Sequence, residues 1–389
     1  MNFDRDITNS ILPVLDSPEA IVITGLRRTG KTTLLRLLMD VIPSDNKLFV
    51  DLENPANRKL FEETNYDRIA DNLRFLGLNL KEKAFLFLDE VQFARTIPSV
   101  VKYLIDHHRL KCILTGSAVF YLKNLFNESL AGRKYSFDLY PLSFSEFLRF
   151  KGNPVNLNAI PAMVTETIHD SISRWYDEYL LYGGFPGVVL KESIQEKEMM
   201  LDDIFTSYYQ MEVVQLGGFR RTNAIRDLML LLMERCGSRL DVQKLARELG
   251  VVRETVNNFL SFLEGTYFFS LIRPYSTSRD TEIRSQPKVY ACDTGLINRY
   301  ARVGSGSLFE NAAFHALRLH GEVSYYMKKS GVEIDFIVNR KIAYEIKQKA
   351  ETKDFSQLMK RAADIHLTEC RMVSRYYCNV DGVLYGYQL

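Results

Sequence analysis

The sequence lacks the features that mark exported or membrane proteins. Its five cysteines are odd in number and scattered, and they form no C-x-x-C pair, so we expect buried thiols rather than a disulfide framework or a zinc site. The longest apolar run, Leu228 to Met233, is far shorter than a membrane span. The first residues contain no apolar signal segment. These absences predict a cytoplasmic protein with no membrane partner.

The sequence also has little net charge. Its 50 lysines and arginines balance 48 acidic residues to give +2, so global charge indicates no nucleic-acid partner. A hydrophobic content of 46% and a charged content of 25% are typical of globular proteins. The length of 389 residues is compatible with two to four domains.

A glycine-rich stretch follows a short apolar strand, Ile21 to Thr24, and leads into a leucine-rich helix. It fits the P-loop pattern G-x4-G-K-[ST], in which backbone N–H groups and the positive end of the helix bind phosphate. The predicted phosphate-binding residues are Gly25, Leu26, Arg27, Arg28, Thr29, Gly30, Lys31, Thr32 and Thr33.

Two residues of this stretch have more specific predicted roles. Lys31 is expected to reach the β- and γ-phosphates, and the hydroxyl of Thr32 to bind Mg²⁺. Thr33 is the alternative for the metal contact. Arg27 and Arg28 either contact phosphate or point to solvent.

A second apolar strand, from Lys83 to Leu88, ends in two acids and fits the Walker B pattern. We expect Asp89 to hold Mg²⁺ and Glu90 to polarise the attacking water. A further strand ends in Thr115 and Ser117, which are candidates for a polar sensor of the γ-phosphate if this strand lies between the two motif strands. The alternative for each hydroxyl is an ordinary turn at the strand end.

The order of several motifs resembles a known family. After the P-loop come Phe-Leu-Asp-Glu-Val-Gln, Leu-Thr-Gly-Ser, Leu-Ala-Gly-Arg and Tyr-Pro-Leu-Ser-Phe-Ser-Glu-Phe. Together they resemble the AAA-type ATPases of bacteria and archaea that carry a C-terminal domain of unknown function. The resemblance implies binding and hydrolysis of ATP with Mg²⁺. It also favours Arg133 as an arginine finger, in cis or from a neighbouring subunit of a homo-oligomer, over a structural ion pair with Asp138.

The middle of the chain has the pattern of a helix-turn-helix, Asp241 to Leu249 and Arg253 to Leu263, followed by two strands around a polar loop, Ser276 to Gln286. This predicts a winged helix. It either binds DNA, through Arg253, Asn257 and Asn258 with Arg279 and Arg284 on phosphate, or serves protein packing.

The C-terminal segment contains a second set of polar residues. Glu310 lies on an amphipathic helix, Asp335 lies on a strand, and Glu345 and Lys347 share one face of the next strand. This order resembles the PD-(D/E)XK nuclease core, which implies that Asp335 and Glu345 hold Mg²⁺ or Mn²⁺ and that Lys347 positions water. The alternative is an ordinary amphipathic sheet.

The predicted fold is α/β: a P-loop AAA-type ATPase core, a helical lid, a winged helix and a C-terminal α/β restriction-endonuclease-like domain. The expected ranges are 1–145, 146–215, 216–300 and 301–389. Three functions remain open. They are an ATP-driven switch acting on a partner such as DNA, an ATP-regulated metal-dependent nuclease, and an ATP-switched adaptor without nuclease activity.

Overall fold

The chain divides into two units, Met1–Tyr140 and Pro141–Leu389. The computed structural model describes residues 4–94, 96–117, 130–161, 163–328 and 330–389. Each unit has its own β-sheet and its own hydrophobic core. The predicted α/β class is therefore confirmed, while the four domain ranges stay a prediction.

Within its described residues, the first unit contains one sheet of five parallel strands. The strands are β1 (Ala20–Thr24), β2 (Lys47–Asp51), β3 (Ala84–Asp89), β4 (Leu110–Gly116) and β5 (Lys134–Asp138). The helices are α1 (Thr8–Ile11), α2 (Lys31–Val41), α3 (Pro55–Lys59), α4 (Tyr66–Phe75) and α5 (Ile97–His107). The strand order β2-β3-β4-β1-β5 confirms that β4 lies between the P-loop strand and the acidic strand.

The central strands of this sheet are apolar because helices cover both of their faces. Successive residues of β1 enter different cores: Val22 packs with one cluster, and Ile21 and Ile23 pack with the other. All three side chains are at most 3% exposed. Parallel strands buried on both sides require such continuous apolar runs, and their carboxyl ends then meet at one edge of the sheet.

The second unit is mostly helical before residue 320. Its helices among the described residues are α6 (Phe144–Phe150), α7 (Glu166–Tyr182), α8 (Pro186–Val189), α9 (Ile194–Tyr208), α10 (Thr222–Glu234), α11 (Val242–Glu248), α12 (Arg253–Gly265), α13 (Arg279–Arg284), α14 (Thr294–Tyr300), α15 (Ser305–Leu317) and α16 (Thr352–Ala363). A π-helical segment, Tyr209–Leu216, extends α9.

Two sheets complete the second unit. Strands β6 (Phe269–Ile272) and β7 (Lys288–Ala291) form an antiparallel pair. The larger sheet contains β8 (Val323–Met327), β9 (Glu333–Val338), β10 (Ile342–Lys347), β11 (Glu369–Ser374) and β12 (Leu384–Tyr385). Its order is β12-β11-β10-β9-β8, antiparallel on the β8–β9–β10 side and parallel from β10 to β12.

The segment predicted as a polar wing loop contains a helix. Residues 279–284 form α13, whose first turn is capped by the side chain of Ser278. Glu282 of this helix has a buried side chain that accepts hydrogen bonds from the more exposed Arg279 and Arg340. These ion pairs order a segment that its polar composition alone predicted to be a loop.

The expectations drawn from absences can be compared with the structure. All five cysteines lie within the described ranges, and each is a buried free thiol, as predicted. No helix in those ranges combines the length and the apolar character needed to cross a membrane.

Candidate functional site

The loop between β1 and α2 has the backbone that phosphate binding requires. A Cβ atom on Gly25 would lie 2.1 Å from the carbonyl oxygen of Leu139, so only glycine fits. Gly30 is the N-cap of α2, with φ 95°, a conformation that favours glycine. The turn therefore directs the first N–H groups of α2 toward the carboxyl edge of the sheet.

The side chains of the loop divide into buried and exposed groups. Lys31 is 4% exposed, and its Nζ donates to the carbonyl oxygens of Gly25 and Leu26, at 3.0 Å each. The hydroxyl of Thr29 is buried and donates to the carbonyl oxygen of Leu26 at 2.8 Å. Arg28 is exposed. Thus Lys31 and Thr29 stabilise the loop itself.

Arg27 is the loop residue that extends toward β2. Its Nη2 lies 3.8 Å from a carboxylate oxygen of Glu53, just beyond the end of that strand. The arginine side chain is 17% exposed and the glutamate side chain is 52% exposed. At this separation, and with the glutamate half exposed, the pair contributes little to stability.

The structure brings the two predicted metal ligands together. Thr32 lies near Asp89, whereas Thr33 is exposed on the next position of α2. Burial raises the pKa of Asp89 above its ordinary value, and the nearby hydroxyls of Thr115 and Thr32 oppose that rise. The geometry favours Thr32 over Thr33 as the partner of Asp89.

Glu90 has an unusual backbone at the end of β3. Its φ of 54° and ψ of 48° lie in the left-handed region, which non-glycine residues adopt at a cost. Its N–H donates to the hydroxyl of Thr115 at 3.3 Å, and the same hydroxyl donates to Asp89. Thr115 therefore orders both acids of the motif.

A residue with no predicted role, Gln92, connects the remaining groups. Its amide nitrogen donates to Glu90 and, at 2.8 Å, to the hydroxyl of Ser117. Gln92 is 8% exposed and Ser117 is 1% exposed. The only signal in the sequence was the position of Gln92, two residues after Glu90 in the Asp-Glu-Val-Gln motif.

Arg5, near the start of the chain, also belongs to this site. It is 7% exposed, and its guanidinium donates to the carbonyl oxygen of Thr29 at 2.8 Å and to that of Tyr140 at 2.7 Å. The segment before β1 therefore stabilises the P-loop backbone directly. An isolated arginine in a polar segment offered no sequence pattern from which to predict this contact.

Arg133 is not brought to the P-loop of its own chain. It directly precedes β5, and Lys134 pairs with Ala20 at the opposite end of β1 from the P-loop. Five strand residues, about 17 Å, separate the two ends. Its Nε contacts Asp106 at 3.2 Å. The alternative prediction, a structural ion pair, had named Asp138 as the partner. A role in cis is therefore contradicted by this position, and a role in trans stays a prediction.

The four predicted C-terminal residues converge in the second unit. Asp335 accepts from the N–H of Ile346 at 2.7 Å, and Lys347 donates to Glu345 at 2.8 Å. Burial, together with the neighbouring carboxylates Glu345 and Glu310, raises the pKa of Asp335 to about 7. The expectation that these acids lie together agrees with this geometry.

Sequence reasoning missed the cations that balance this cluster. Lys288 of β7 contacts Glu310 at 3.2 Å and also contacts Glu333. Arg361 of α16 donates to Glu345 at 3.1 Å. Burial disfavours the charged form of Lys288, but the surrounding carboxylates outweigh this effect and raise the pKa of the lysine. These residues come from separate elements, so their spacing in the sequence carried no signal.

The acids at this cluster do not form a ready-made metal centre. Across the part of the chain that the structure describes, no group of three or more His, Cys, Asp or Glu side chains is arranged to hold a metal ion. One oxygen of Glu345, Oε2, is buried and has no hydrogen-bond partner. Glu345 thus presents a free acceptor oxygen while its other oxygen contacts two cationic side chains, Lys347 and Arg361.

The predicted helix-turn-helix residues occupy helices α11 and α12. Arg253, Asn257 and Asn258 are exposed on α12, whereas Val256 and Phe259 are buried. Arg279 and Arg284 lie on α13, paired with Glu282 and Asp280. The exposed face is available for a partner, and its use for DNA stays a prediction.

Comparisons with known protein families match three successive parts of the chain. The family model described as an AAA domain matches residues 17–148. Two models described as domains of unknown function match residues 173–307 and 305–379.

Whole-chain relatives carry no activity in their descriptions. A Haemophilus influenzae protein described as uncharacterized is 27% identical, covering 86% of this chain and 84% of its own. Another uncharacterized protein, from Methanocaldococcus jannaschii, is 25% identical, and the match covers 94% of this chain and 82% of the relative. A solved structure described as a Walker-type ATPase of Pyrococcus abyssi is 16% identical with a TM-score of 0.45, covering 77% and 95%.

The sheet order, the P-loop after β1 and the acids after β3 define the class of the N-terminal unit. They give it the fold of a P-loop ATPase core, and its residues 17–148 are similar to the AAA domain. Strands β8 to β11 of the C-terminal sheet lie within the match to a domain of unknown function, residues 305–379, as the resemblance implied.

Proposed function

We propose that this protein binds ATP with Mg²⁺ and hydrolyses it, and that the nucleotide state controls the action of the C-terminal region on a partner. The observation that carries the proposal is the glycine turn of the P-loop, with Gly30 capping α2, at the same edge of the sheet where β3 ends in Asp89 and Glu90. Hydroxyl and carboxylate oxygens are ligands that Mg²⁺ prefers.

The residues of the loop fit a nucleotide phosphate. Gly25 and Gly30 allow the backbone to approach an anion, and the start of α2 supplies N–H donors. Lys31 has an ammonium group that exchanges loop carbonyl contacts for phosphate oxygens. Bound Mg²⁺ supplies positive charge that stabilises the charge developing on the phosphates.

Glu90 is the group that acts on water. Its backbone conformation and the hydrogen bond from Gln92 to Oε2 hold the carboxylate in place. Among the described residues, no hydrogen bond is made to its Oε1, so this oxygen is available to accept a proton from the attacking water. Thr115 and Ser117 order this arrangement from β4.

The test compares neighbouring side chains. Lys31→Ala is expected to abolish ATP binding, and Glu90→Gln to bind ATP while losing turnover. Thr32→Ala should lose the Mg²⁺ dependence of ATP binding, and Thr33→Ala, one residue away and exposed, is the matched control. Equal effects of the two threonine variants would contradict the metal assignment, and parental hydrolysis by Glu90→Gln would contradict the role of the glutamate.

The second candidate function is metal-dependent cleavage of DNA by the C-terminal cluster. It is favoured by the proximity of the part-buried Asp335 to the buried Glu345 and by the contact of Lys347 with Glu345. Carboxylates beside a lysine suit a hard cation and a developing charge at phosphorus. The balancing cation Lys288 weighs against it, because an internal ammonium already neutralises the acids.

Nicking of supercoiled plasmid with Mg²⁺ or Mn²⁺, with and without ATP, tests this candidate. Asp335→Asn should abolish nicking. Asp364→Asn, a half-exposed acid paired with Lys328, is the matched control. Nicking that survives in Asp335→Asn, or its absence in the parent, would remove the nuclease candidate and leave binding of a DNA or protein partner.

A further inference from the structure

The side chain of Gln92 makes three hydrogen bonds, all to residues at the carboxyl edge of the first sheet. Its Nε2 donates to Oε2 of Glu90 and to Oγ of Ser117 at 2.8 Å. Its Oε1 accepts from the N–H of Ser117 at 3.3 Å. Both N–H bonds and the carbonyl oxygen of the amide are therefore in use.

These contacts admit one orientation of the amide. Rotation by 180° would direct the carbonyl oxygen of Gln92 at the carboxylate of Glu90, so that two acceptors would face each other. The side chain is 8% exposed, so water does not replace the lost donor at low cost. Gln92 thus holds Glu90 and Ser117 in one fixed relation.

The backbone supports this arrangement from beneath. Gln92 lies in a 3-10 turn, Val91–Phe93, directly after the left-handed Glu90. Val91 is fully buried in the core on one side of the sheet. The turn therefore fixes the backbone of Gln92 against the packed core. Its amide can then restrain the side chains of Glu90 and Ser117.

We propose that Gln92 is a positioning residue for hydrolysis: it orients the carboxylate of Glu90 toward water and links it to Ser117 at the end of β4. The inference rests on the proposed ATPase function. One hydrogen bond restrains Oε2, and Oε1 is left for the water. Because Ser117 binds the same amide, a shift of the end of β4 moves Glu90 as well.

The experiment measures kcat, KM and the dissociation constant of ATP separately. Gln92→Met keeps the length of the side chain and removes the amide. We expect kcat to fall by about 10-fold or more, with the dissociation constant within about 2-fold of the parent. Gln92→Glu, which has nearly the same shape but directs an acceptor at Glu90, should lose at least as much and serves if Gln92→Met does not fold.

A double-mutant cycle tests the link to β4. Ser117→Ala removes one partner of the amide, and the double variant with Gln92→Met should lose no more kcat than the larger single change. Independent losses that multiply would refute the link between Ser117 and Glu90 through Gln92.

The outcomes separate this inference from the proposed function. A parent protein without ATP hydrolysis would overturn the proposed function, and the role of Gln92 with it. A parent that hydrolyses ATP, with loss in Glu90→Gln but parental kcat in Gln92→Met and Gln92→Glu, would overturn only this inference. An equal loss of ATP binding and turnover would show a structural role and would also overturn it.

Discussion

Replacement of Lys288 by methionine tests the charge balance of the C-terminal cluster. The lysine side chain is 4% exposed, and its ammonium lies 3.2 Å from Glu310 and also contacts Glu333. The part-buried carboxylate of Asp335 also attracts this ammonium electrostatically. Methionine retains the length and the packing of the stem, so the change removes mainly the positive charge.

The expected cost is several kcal/mol. Two unit charges at this separation attract by about 5 kcal/mol at an effective dielectric constant of about 20. Desolvation offsets most of this gain in the intact pair, but removal of the buried ammonium leaves the part-buried carboxylates of Glu310 and Glu333 without compensation, which costs up to about 3–5 kcal/mol. This is a large part of the roughly 5–15 kcal/mol that stabilises a typical domain.

The assay is urea unfolding followed by tryptophan fluorescence. The chain has one tryptophan, Trp175, which packs against the core of the second unit, so its signal reports that unit. Lys328→Met is the matched control: this lysine pairs with Asp364 on the surface, where the expected cost is about 0–1 kcal/mol.

Two outcomes would refute the reasoning. If Lys288→Met costs less than about 1 kcal/mol, the ammonium does not compensate the carboxylates. If Mn²⁺ stabilises the parent as strongly as it stabilises Lys288→Met, the lysine does not compete with a cation for the cluster. The expected result is a large loss in Lys288→Met, partly restored by Glu310→Gln and by Mn²⁺.

Three further predictions concern buried contacts. Burial raises the pKa of Asp293 to about 6, so the folded state binds its proton more tightly than the unfolded state does and stability falls as pH rises from about 4 to about 6. Asp293→Asn should therefore gain about 3 kcal/mol relative to the parent across that range in urea unfolding, and a constant difference would contradict this. Gly25→Ala should weaken binding of a fluorescent ATP analogue more than about 10-fold, since its Cβ would meet the carbonyl of Leu139 at 2.1 Å, and unchanged affinity would contradict the close approach. Arg5→Ala should weaken ATP binding by about 1–3 kcal/mol, because the buried carbonyl of Thr29 loses its donor, and parental affinity would show that the contact does not support the loop.

The sequence predicted the P-loop end of the site well because its chemistry is local. The nine residues from Gly25 to Thr33 are consecutive, and their spacing alone sets the turn and the start of α2. Asp89 and Glu90 end an apolar strand, and parallel strands meet at their carboxyl ends. The placement of β4 between the two motif strands followed from the same motifs and is confirmed.

The misplaced and missed residues have a common physical reason. Arg133 follows a glycine turn in the sequence, but the register of β5 with β1 places it at the far edge of the sheet. Arg5, Gln92 and Lys288 act through contacts with residues from other elements. No period or motif of the sequence marks Arg5 or Lys288, and only the position two residues after Glu90 marks Gln92.

The sequence by itself determined the fold class of the N-terminal unit, the position of the P-loop and the elements that carry the C-terminal acids, because each depends on neighbouring residues or on strand and helix periods. The tertiary structure alone decided which hydroxyl meets Asp89, which amide holds Glu90 and which cation balances Glu310 and Glu333. Those contacts join distant parts of the chain within a packed interior. There, burial makes each polar group depend on a partner that only the fold can supply.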